Sequence, residues 1–216
     1  MRTETFPTKQ LMRPRQRHTP AGWQNLVKPM KTDVENLVLL HPGYRTILID
    51  PPWSFKTYSD KGKKKSAEIH YSTMPFERLR KLHIPAAEDA CLFLWCIDTH
   101  LPEALRLIDA WGFTYKTVAF TWIKTTKDGQ PAFGTGYWTR KSSELCLLAT
   151  RGKPKRLSRG VRQGILEPRR EHSRKPDCVY ERIEKLVEGP YLEIFARTQK
   201  QGWDSIGNES DKFKEE

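Results

Sequence analysis

The fold is decided by one stretch of the chain, Thr46-Ile47-Leu48-Ile49-Asp50-Pro51-Pro52-Trp53. Its first four residues are apolar or β-branched, which is typical of a short buried strand. The prolines cannot donate hydrogen bonds to a sheet, and a residue before proline is driven out of the helical region. Asp50 and Pro51 are therefore predicted to stand extended and rigid at the carboxyl end of the strand, where open α/β sheets bind ligands.

This stretch offers a specific chemistry. The Asp50 carboxylate and the Pro51 carbonyl are two fixed acceptors, and the exocyclic amine of a nucleobase carries two N–H donors. Accepting both would turn the lone pair of the amine toward an electrophile. Trp53 adds a flat face for stacking, worth about 1–3 kcal/mol per base in single-strand binders. The alternative is a proline-stiffened turn with a half-buried tryptophan; we favour the functional interpretation because Trp53 follows so apolar a strand.

Strand-like and helix-like segments alternate along the chain. Apolar runs typical of strands occupy residues 46–49, 91–97, 116–123, 145–149 and 191–196. Patterns typical of helices begin at Thr73, Pro102 and Ser173. The alternation predicts an α/β fold with a doubly wound, mostly parallel sheet and helices on both faces.

Length and charge bound the class of protein. The 216 residues suffice for one domain with a core, and the net charge of +12 favours a polyanionic partner. We predict a basic N-terminal arm at 1–31, a main domain at 32–210 and a tail at 211–216. No apolar run is long enough to span a membrane and no secretory signal is visible, so we expect a cytoplasmic protein without a membrane partner. Four scattered cysteines indicate free thiols rather than a metal site.

Two basic segments indicate contact with nucleic acid. Residues 54–71 are polar and rich in lysine, including Lys63, Lys64 and Lys65, and follow the Asp-Pro-Pro-Trp stretch directly. We interpret them as a mobile lid that also meets phosphates. Residues 151–175 hold ten Lys or Arg residues against two acids, Arg169 and Arg170 among them. Clustering of this density favours nucleic-acid binding over a merely solvated surface.

A second constellation lies near the C-terminus. Lys175 stands just before a predicted helix N-terminus, where free backbone N–H groups attract anions, so it could seat a small carboxylate. The strand from Tyr191 ends with an aromatic residue and a cation, Phe195 and Arg197. Residues 202–209 then bring two glycines together with polar side chains that can bond ribose hydroxyls or a purine edge. No Gly-x-Gly-x-x-Gly fingerprint occurs, so dinucleotide binding is not indicated.

Six motifs in order resemble those of the adenine-N6 methyltransferases typified by the seventy-kilodalton catalytic subunit of the eukaryotic mRNA adenosine methyltransferase. The resemblance runs from about Arg45 to Asn208 and indicates a bacterial or phage member. The motifs are Asp50-Pro51-Pro52-Trp53, Tyr71-Ser72-Thr73-Met74, Gly134-Thr135-Gly136 leading to Glu144, Ser173-Arg174-Lys175-Pro176-Asp177, Glu193-Ile194-Phe195-Ala196-Arg197, and Gly202-Trp203 through Gly207-Asn208.

The resemblance implies a Rossmann-like fold that uses S-adenosylmethionine, without a metal. Its motif order is permuted, so that the catalytic motif precedes the cofactor strand. By position, Asp50 and Pro51 are expected to hold the target amine, with Pro52 completing the rigid turn and Asp50 also bordering the cofactor. Trp53 and Tyr71 are expected to line the base pocket.

The cofactor residues carry over in the same way. Lys175 is expected to meet the methionine carboxylate, Phe195 the apolar side of the cofactor, and Arg197 with Asn208 its ribose. Glu209 completes this expected set, at a position where the mRNA enzyme has an amide.

Several alternatives stay open at this level. The expected reaction is methylation of adenine N6 in DNA, because compact members of the family are mostly DNA enzymes, but RNA is the alternative substrate. A non-catalytic nucleic-acid-binding subunit and a basic nucleic-acid chaperone are further classes. The family often pairs two such domains, so a homodimer is open as well. A DNA enzyme would be associated with the nucleoid of a bacterial or phage-infected cell.

Overall fold

The computed structural model describes residues 43–54, 73–134, 136, 138–171, 174–207 and 212. The strands of the described part are β1 (Tyr44–Ile49), β2 (Ala86–Cys96), β3 (Thr114–Thr125), β4 (Ser143–Arg151), β5 (Gly164–Pro168), β6 (Tyr191–Ile194) and β7 (Trp203–Ile206). Its helices are α1 (Phe76–Arg80), α2 (Leu101–Ala110), which a 3-10 turn at Asp98–His100 precedes, and α3 (Cys178–Leu186). The predicted arm lies outside these residues, and the domain boundaries stay predictions.

The seven strands form one sheet in the order β5-β3-β4-β2-β1-β6-β7. Four pairings are parallel, and the two that involve β4 are antiparallel. The α/β fold predicted from the sequence is confirmed, but the sheet is mixed where a mostly parallel one was expected. The reason is local, because residues 126–142 join β3 to β4 without a helix in their described part, and a connection without a crossover returns the chain antiparallel.

The alternation of side chains along the strands gives the sheet two cores. Ile47 and Ile49 face one side, where residues of α1 and α2 such as Leu79 and Leu107 pack on them. The side chain between them, Leu48, faces the other side with the buried residues of α3. Full burial of such a side chain stabilises the fold by about 1.5–3 kcal/mol, so the sheet is held from both faces. All four cysteines are free thiols and three are buried.

The register of the central strands brings the sequence motifs together. β1 runs parallel to its neighbour β6, with Ile49 opposite Ile194, so that Asp50 and Phe195 leave the sheet side by side. Because β4 runs the other way, its amino end reaches the same edge, with Leu145 opposite Cys96. We call this edge the Asp50 edge: the carboxyl ends of β1, β2, β3 and β6 and the amino end of β4.

Candidate active site

The Asp-Pro-Pro-Trp turn is held by backbone hydrogen bonds. The Trp53 N–H donates to the Pro51 carbonyl at 2.8 Å, and the Met74 N–H donates to the Pro52 carbonyl at 2.8 Å. The first bond closes a tight turn directly after β1, as the two prolines predict. A carbonyl oxygen has two lone pairs, so the Pro51 oxygen keeps the capacity to accept a second donor.

Asp50 is the centre of a network of buried charges. Its Oδ2 atom accepts hydrogen bonds from Lys175 Nζ at 2.7 Å and from Arg197 Nη2 at 3.3 Å. Lys175 Nζ also lies 3.4 Å from Glu144 Oε2, and Lys124 Nζ donates to Glu144 Oε1 at 2.5 Å. The network therefore alternates in sign from Lys124 to Arg197. Residues that are far apart in the chain meet here because four strand ends share one edge.

The charge states in this network follow from opposing effects. Burial raises the pKa of Glu144, but the positive charges of Lys175 and Lys124 outweigh it and lower the pKa to about 2. Burial lowers the pKa of Lys175, but Asp50 and Glu144 outweigh it and raise the pKa. The site thus keeps Glu144 as an anion and Lys175 as a cation near neutral pH.

Glu193 has a buried carboxyl group. The sequence places this residue in a motif but predicts no role for it. It lies on β6 behind Asp50, and the Tyr180 hydroxyl donates to its Oε2 at 2.8 Å. Burial raises its pKa to about 8; the bond from Tyr180 lowers it and the Asp50 charge raises it further. Glu193 is therefore mostly protonated at pH 7. A glutamate within an apolar strand was the signal that could have found it.

One open pocket lies beside the network, with about 440 Å³ of space that includes open solvent. It is lined by Leu48, Asp50, Trp95, Arg174, Lys175, Pro176, Asp177, Val179, Tyr180, Glu193, Phe195, Arg197 and Thr198. Phe195 has a positive φ of 65°, which few non-glycine residues adopt. A Cβ at Gly207 would collide with the Ala196 backbone, so glycine is required where β7 ends against this bend.

Trp53 is part of the wall between the turn and the core. Its ring is 6% exposed, and its Nε1 donates to the Trp95 carbonyl at 3.3 Å. The His100 ring lies 5.3 Å from it between centroids, and His100 Nε2 is 3.1 Å from the Ser54 carbonyl oxygen. Stacking of a base on Trp53 stays a prediction; in this structure the ring supports the shape of the turn.

Arg170 contacts protein groups in this structure. Its Nη1 donates to Asp177 Oδ2 at 2.6 Å and its Nη2 to the Lys175 carbonyl at 2.9 Å. Arg170 therefore braces the turn that presents Lys175 to Asp50, a contact that the sequence did not predict. Arg169 is exposed beside it. The nucleic-acid contacts expected of both arginines stay predictions.

The structure thus brings together Asp50, Lys175, Phe195 and Arg197, four of the residues that the sequence singled out. Of the other predicted site residues, six lie outside the described residues, namely Tyr71, Lys63, Lys64, Lys65, Asn208 and Glu209. Within the described ranges, no group of His, Cys, Asp or Glu side chains could hold a metal ion. Nor does any helix of that part of the chain have the length and apolar character needed to cross a membrane.

Comparison with known proteins agrees with this geometry. The MT-A70 family profile matches residues 44–209. A type II methyltransferase of Mycoplasma sp, M.MunI, is 33% identical over 186 residues, which cover 77% of each chain. The N(6)-adenosine-methyltransferase MT-A70-like protein of Arabidopsis thaliana is 30% identical, and the human catalytic subunit METTL3 is 27% identical. The alignments with these two cover 77% and 78% of this chain but only 24% and 28% of the relatives. The chain belongs to the MT-A70 family.

Proposed function

We propose that this protein transfers a methyl group from S-adenosylmethionine to the N6 amino group of adenine in DNA. The observation that carries the proposal is the position of Asp50, at the end of β1, bonded to Lys175 and Arg197 on the wall of one pocket. The name of the Mycoplasma relative supports methyl transfer, and the names of the eukaryotic relatives support adenosine N6. DNA is favoured because the similarity covers most of the compact Mycoplasma enzyme but only about a quarter of the eukaryotic ones.

MT-A70 methyltransferases use S-adenosylmethionine, and the charged side chains that line the pocket suit its polar groups. The amino-acid end of this cofactor bears a carboxylate and an ammonium group, and its sugar bears two hydroxyls. Lys175 supplies a cation for the carboxylate, Asp50 an anion for the ammonium group, and Arg197 a donor for the sugar. When bound, S-adenosylmethionine supplies a sulfonium methyl group that an amine nitrogen can attack.

The protein's own part is to position the amine and balance charge. Asp50 accepts hydrogen bonds from Lys175 and Arg197 through its Oδ2 atom. An ionised carboxylate offers about four lone-pair sites, so it retains capacity to accept an amine hydrogen. Together with the Pro51 carbonyl it would hold both N–H groups and favour the pyramidal nitrogen required for in-line attack. Asp50 need not act as a full base, since the proton can leave after the methyl group is transferred.

We infer the remaining parts of the proposal from the same family. In this proposal β1 carries the catalytic motif and the later strand β6 carries the cofactor contacts, and the element order supports the permuted order that the resemblance implies. A homodimer stays a prediction, to be measured by sedimentation of the full chain with and without DNA. An enzyme acting on genomic DNA would be located with the nucleoid.

The proposal is tested by mass spectrometry of nucleosides after reaction with DNA and RNA oligonucleotides. N6-methyladenine in DNA is the expected product, and methylation of RNA alone would replace DNA by RNA as the substrate. Asp50→Ala should lower methylation by at least about a hundredfold. Binding of S-adenosylmethionine, measured by calorimetry, should weaken but stay measurable, because Lys175 and Arg197 remain on the wall of the pocket. The exposed Asp109→Ala is the matched control and should be fully active. An active Asp50→Ala protein would reject the mechanism, and a wild type that binds cofactor but methylates nothing would indicate a non-catalytic subunit.

A further inference from the structure

A histidine outside every motif of the sequence contacts the Asp-Pro-Pro-Trp turn. His100 closes the 3-10 turn at Asp98–His100, which joins β2 to α2. β2 lies beside β1 in the sheet and runs parallel to it, so this junction leaves the sheet next to the turn that follows β1. His100 and Ser54 are 46 positions apart in the chain, and the strand order brings them together.

The backbone of His100 is fixed at both ends of the 3-10 turn. Its N–H donates to the Ile97 carbonyl at 2.9 Å, directly after β2. Lys141, which lies two residues before β4, forms an ion pair with Asp98 at the start of the same turn. Helix α2 begins at the residue that follows His100. The imidazole therefore extends from a defined position at the Asp50 edge.

The imidazole ring makes two contacts with the Asp-Pro-Pro-Trp turn. Its centroid lies 5.3 Å from that of the Trp53 ring, with the two planes tilted by 46°, within the range of favourable aromatic pairs. Its Nε2 lies 3.1 Å from the Ser54 carbonyl oxygen. Because a carbonyl oxygen can only accept, Nε2 carries the hydrogen of this bond.

The second ring nitrogen is compatible with this assignment. His100 Nδ1 lies 3.1 Å from Thr99 Oγ1. A hydroxyl can donate to a bare Nδ1 or accept from an Nδ1–H. The bond to Ser54 is therefore available to both the neutral and the charged imidazole.

These contacts add to the bonds that hold Trp53. The Trp53 Nε1 donates to the Trp95 carbonyl at 3.3 Å, and its backbone N–H donates to the Pro51 carbonyl at 2.8 Å. His100 holds the outer side of the same residue, through the ring and through the carbonyl that follows it. A shift of Trp53 would pass through its backbone bond to the Pro51 oxygen, the acceptor proposed for the target amine.

We propose that His100 is a positioning residue for methyl transfer. By holding the Trp53 ring and the Ser54 carbonyl, it fixes the turn from which Asp50 and Pro51 meet the amine. The inference rests on the proposed function for the reaction that the turn serves. It assigns His100 no contact with the amine, the cofactor or the transferred methyl group.

The first test measures kinetics of the full chain with tritiated S-adenosylmethionine and DNA from a bacterial strain that lacks N6-methyladenine. His100→Ala should lower kcat about tenfold, because a misplacement of about 1 Å can cost roughly a hundredfold in rate. The KM for S-adenosylmethionine should stay unchanged, since the pocket lining in the described part of the chain includes neither His100 nor Trp53.

Two further variants separate positioning from a general loss of structure. His100→Gln should recover most of the lost kcat, because the glutamine amide can donate to the Ser54 carbonyl. His83→Ala changes an exposed histidine that lies before β2 and should leave kcat and KM like wild type.

A second measurement needs no turnover. Hydrogen exchange of the Trp53 indole N–H is followed by NMR, with its signal assigned by its loss in Trp53→Phe. His100→Ala should speed this exchange at least about threefold, because the ring loses one of its supports, and His83→Ala should not change it.

Unchanged kcat in His100→Ala, a raised KM for S-adenosylmethionine, or no recovery in His100→Gln would overturn the proposal. Unchanged indole exchange would overturn it too, because the lost rate would then have a different origin. If the wild type methylates nothing, faster exchange in His100→Ala would reject the proposed function and leave the support of the turn by His100 standing.

Discussion

Two ion pairs of nearly equal length show what burial does to charge. Lys175 and Asp50 are 2.7 Å apart with side chains 15% and 14% exposed, whereas Arg106 and Glu103 on α2 are 3.0 Å apart with side chains 62% and 33% exposed. The exposed pair is worth at most about 1 kcal/mol. The buried pair costs desolvation that the attraction only partly offsets. The fold keeps the buried pair at the Asp50 edge, on the wall of the pocket.

Removing the cation from the centre of the network should have the largest effect. Lys175→Ala leaves the Asp50 and Glu144 carboxylates buried without their shared partner, and such a change destabilises a protein by about 3–5 kcal/mol. Urea unfolding measures this loss, and calorimetry should show no binding of S-adenosylmethionine. Lys185→Ala, which removes a pair with Glu181 on exposed α3 side chains, should cost less than about 1 kcal/mol. Similar losses for the two variants would contradict the distinction between buried and exposed charge.

A smaller effect is expected in the pH dependence of stability. Glu193 has a pKa of about 8 in the folded protein, against an ordinary value of 4.5. As pH rises, the unfolded chain therefore loses this proton at a lower pH than the folded protein does. Its contribution to stability is complete below pH 4.5 and is lost as pH rises through about 8, a decrease of a few kcal/mol at most. Glu193→Gln should flatten this slope in melting temperature measured from pH 5 to 9. The exposed Glu181→Gln is the control, and an unchanged slope in Glu193→Gln would show that the carboxyl titrates normally.

Loss of the brace behind Lys175 should have the smallest effect of the three. Arg170→Ala removes the bonds to Asp177 and to the Lys175 carbonyl, at groups that are partly exposed, so the loss of stability should be about 1 kcal/mol. Because Lys175 remains, the KM for S-adenosylmethionine should rise several-fold with little change in kcat. Arg106→Ala on α2 should alter neither constant. A rise in the KM for DNA with an unchanged KM for S-adenosylmethionine would instead place Arg170 at the nucleic acid, as the sequence predicts.

The sequence predicts the central parts of this molecule because they rest on local rules. The apolar run before two prolines places β1 and Asp50, and Pro102 with Gly112 bounds the region of α2. Lys175, Phe195 and Arg197 belong to motifs that the sequence shows, and in the structure they lie beside Asp50. These residues meet because of the order of the strands in the sheet, which no local sequence pattern predicts.

Other features cannot be predicted from the local sequence, because each depends on residues that lie far away in the chain. The short strands β5 and β7 pair with β3 and β6, and their own sequences carry too little apolar pattern to announce them. The raised pKa of Glu193 depends on burial and on Tyr180 from α3. The direction of β4 was readable in principle, since a Gly-rich connection without a helix predicts a hairpin, but the alternation elsewhere favoured a crossover.

The reversed direction of β4 has a wider consequence. A helix between β3 and β4 would have returned the chain to the opposite rim of the sheet, whereas the hairpin keeps both its stems at the rim that holds Asp50. The loop between those stems can change in length and amino-acid sequence without altering any buried strand. The architecture thus separates the strands that carry the buried charges from a loop at their rim, so that this one hairpin can be replaced while the strand ends stay in place.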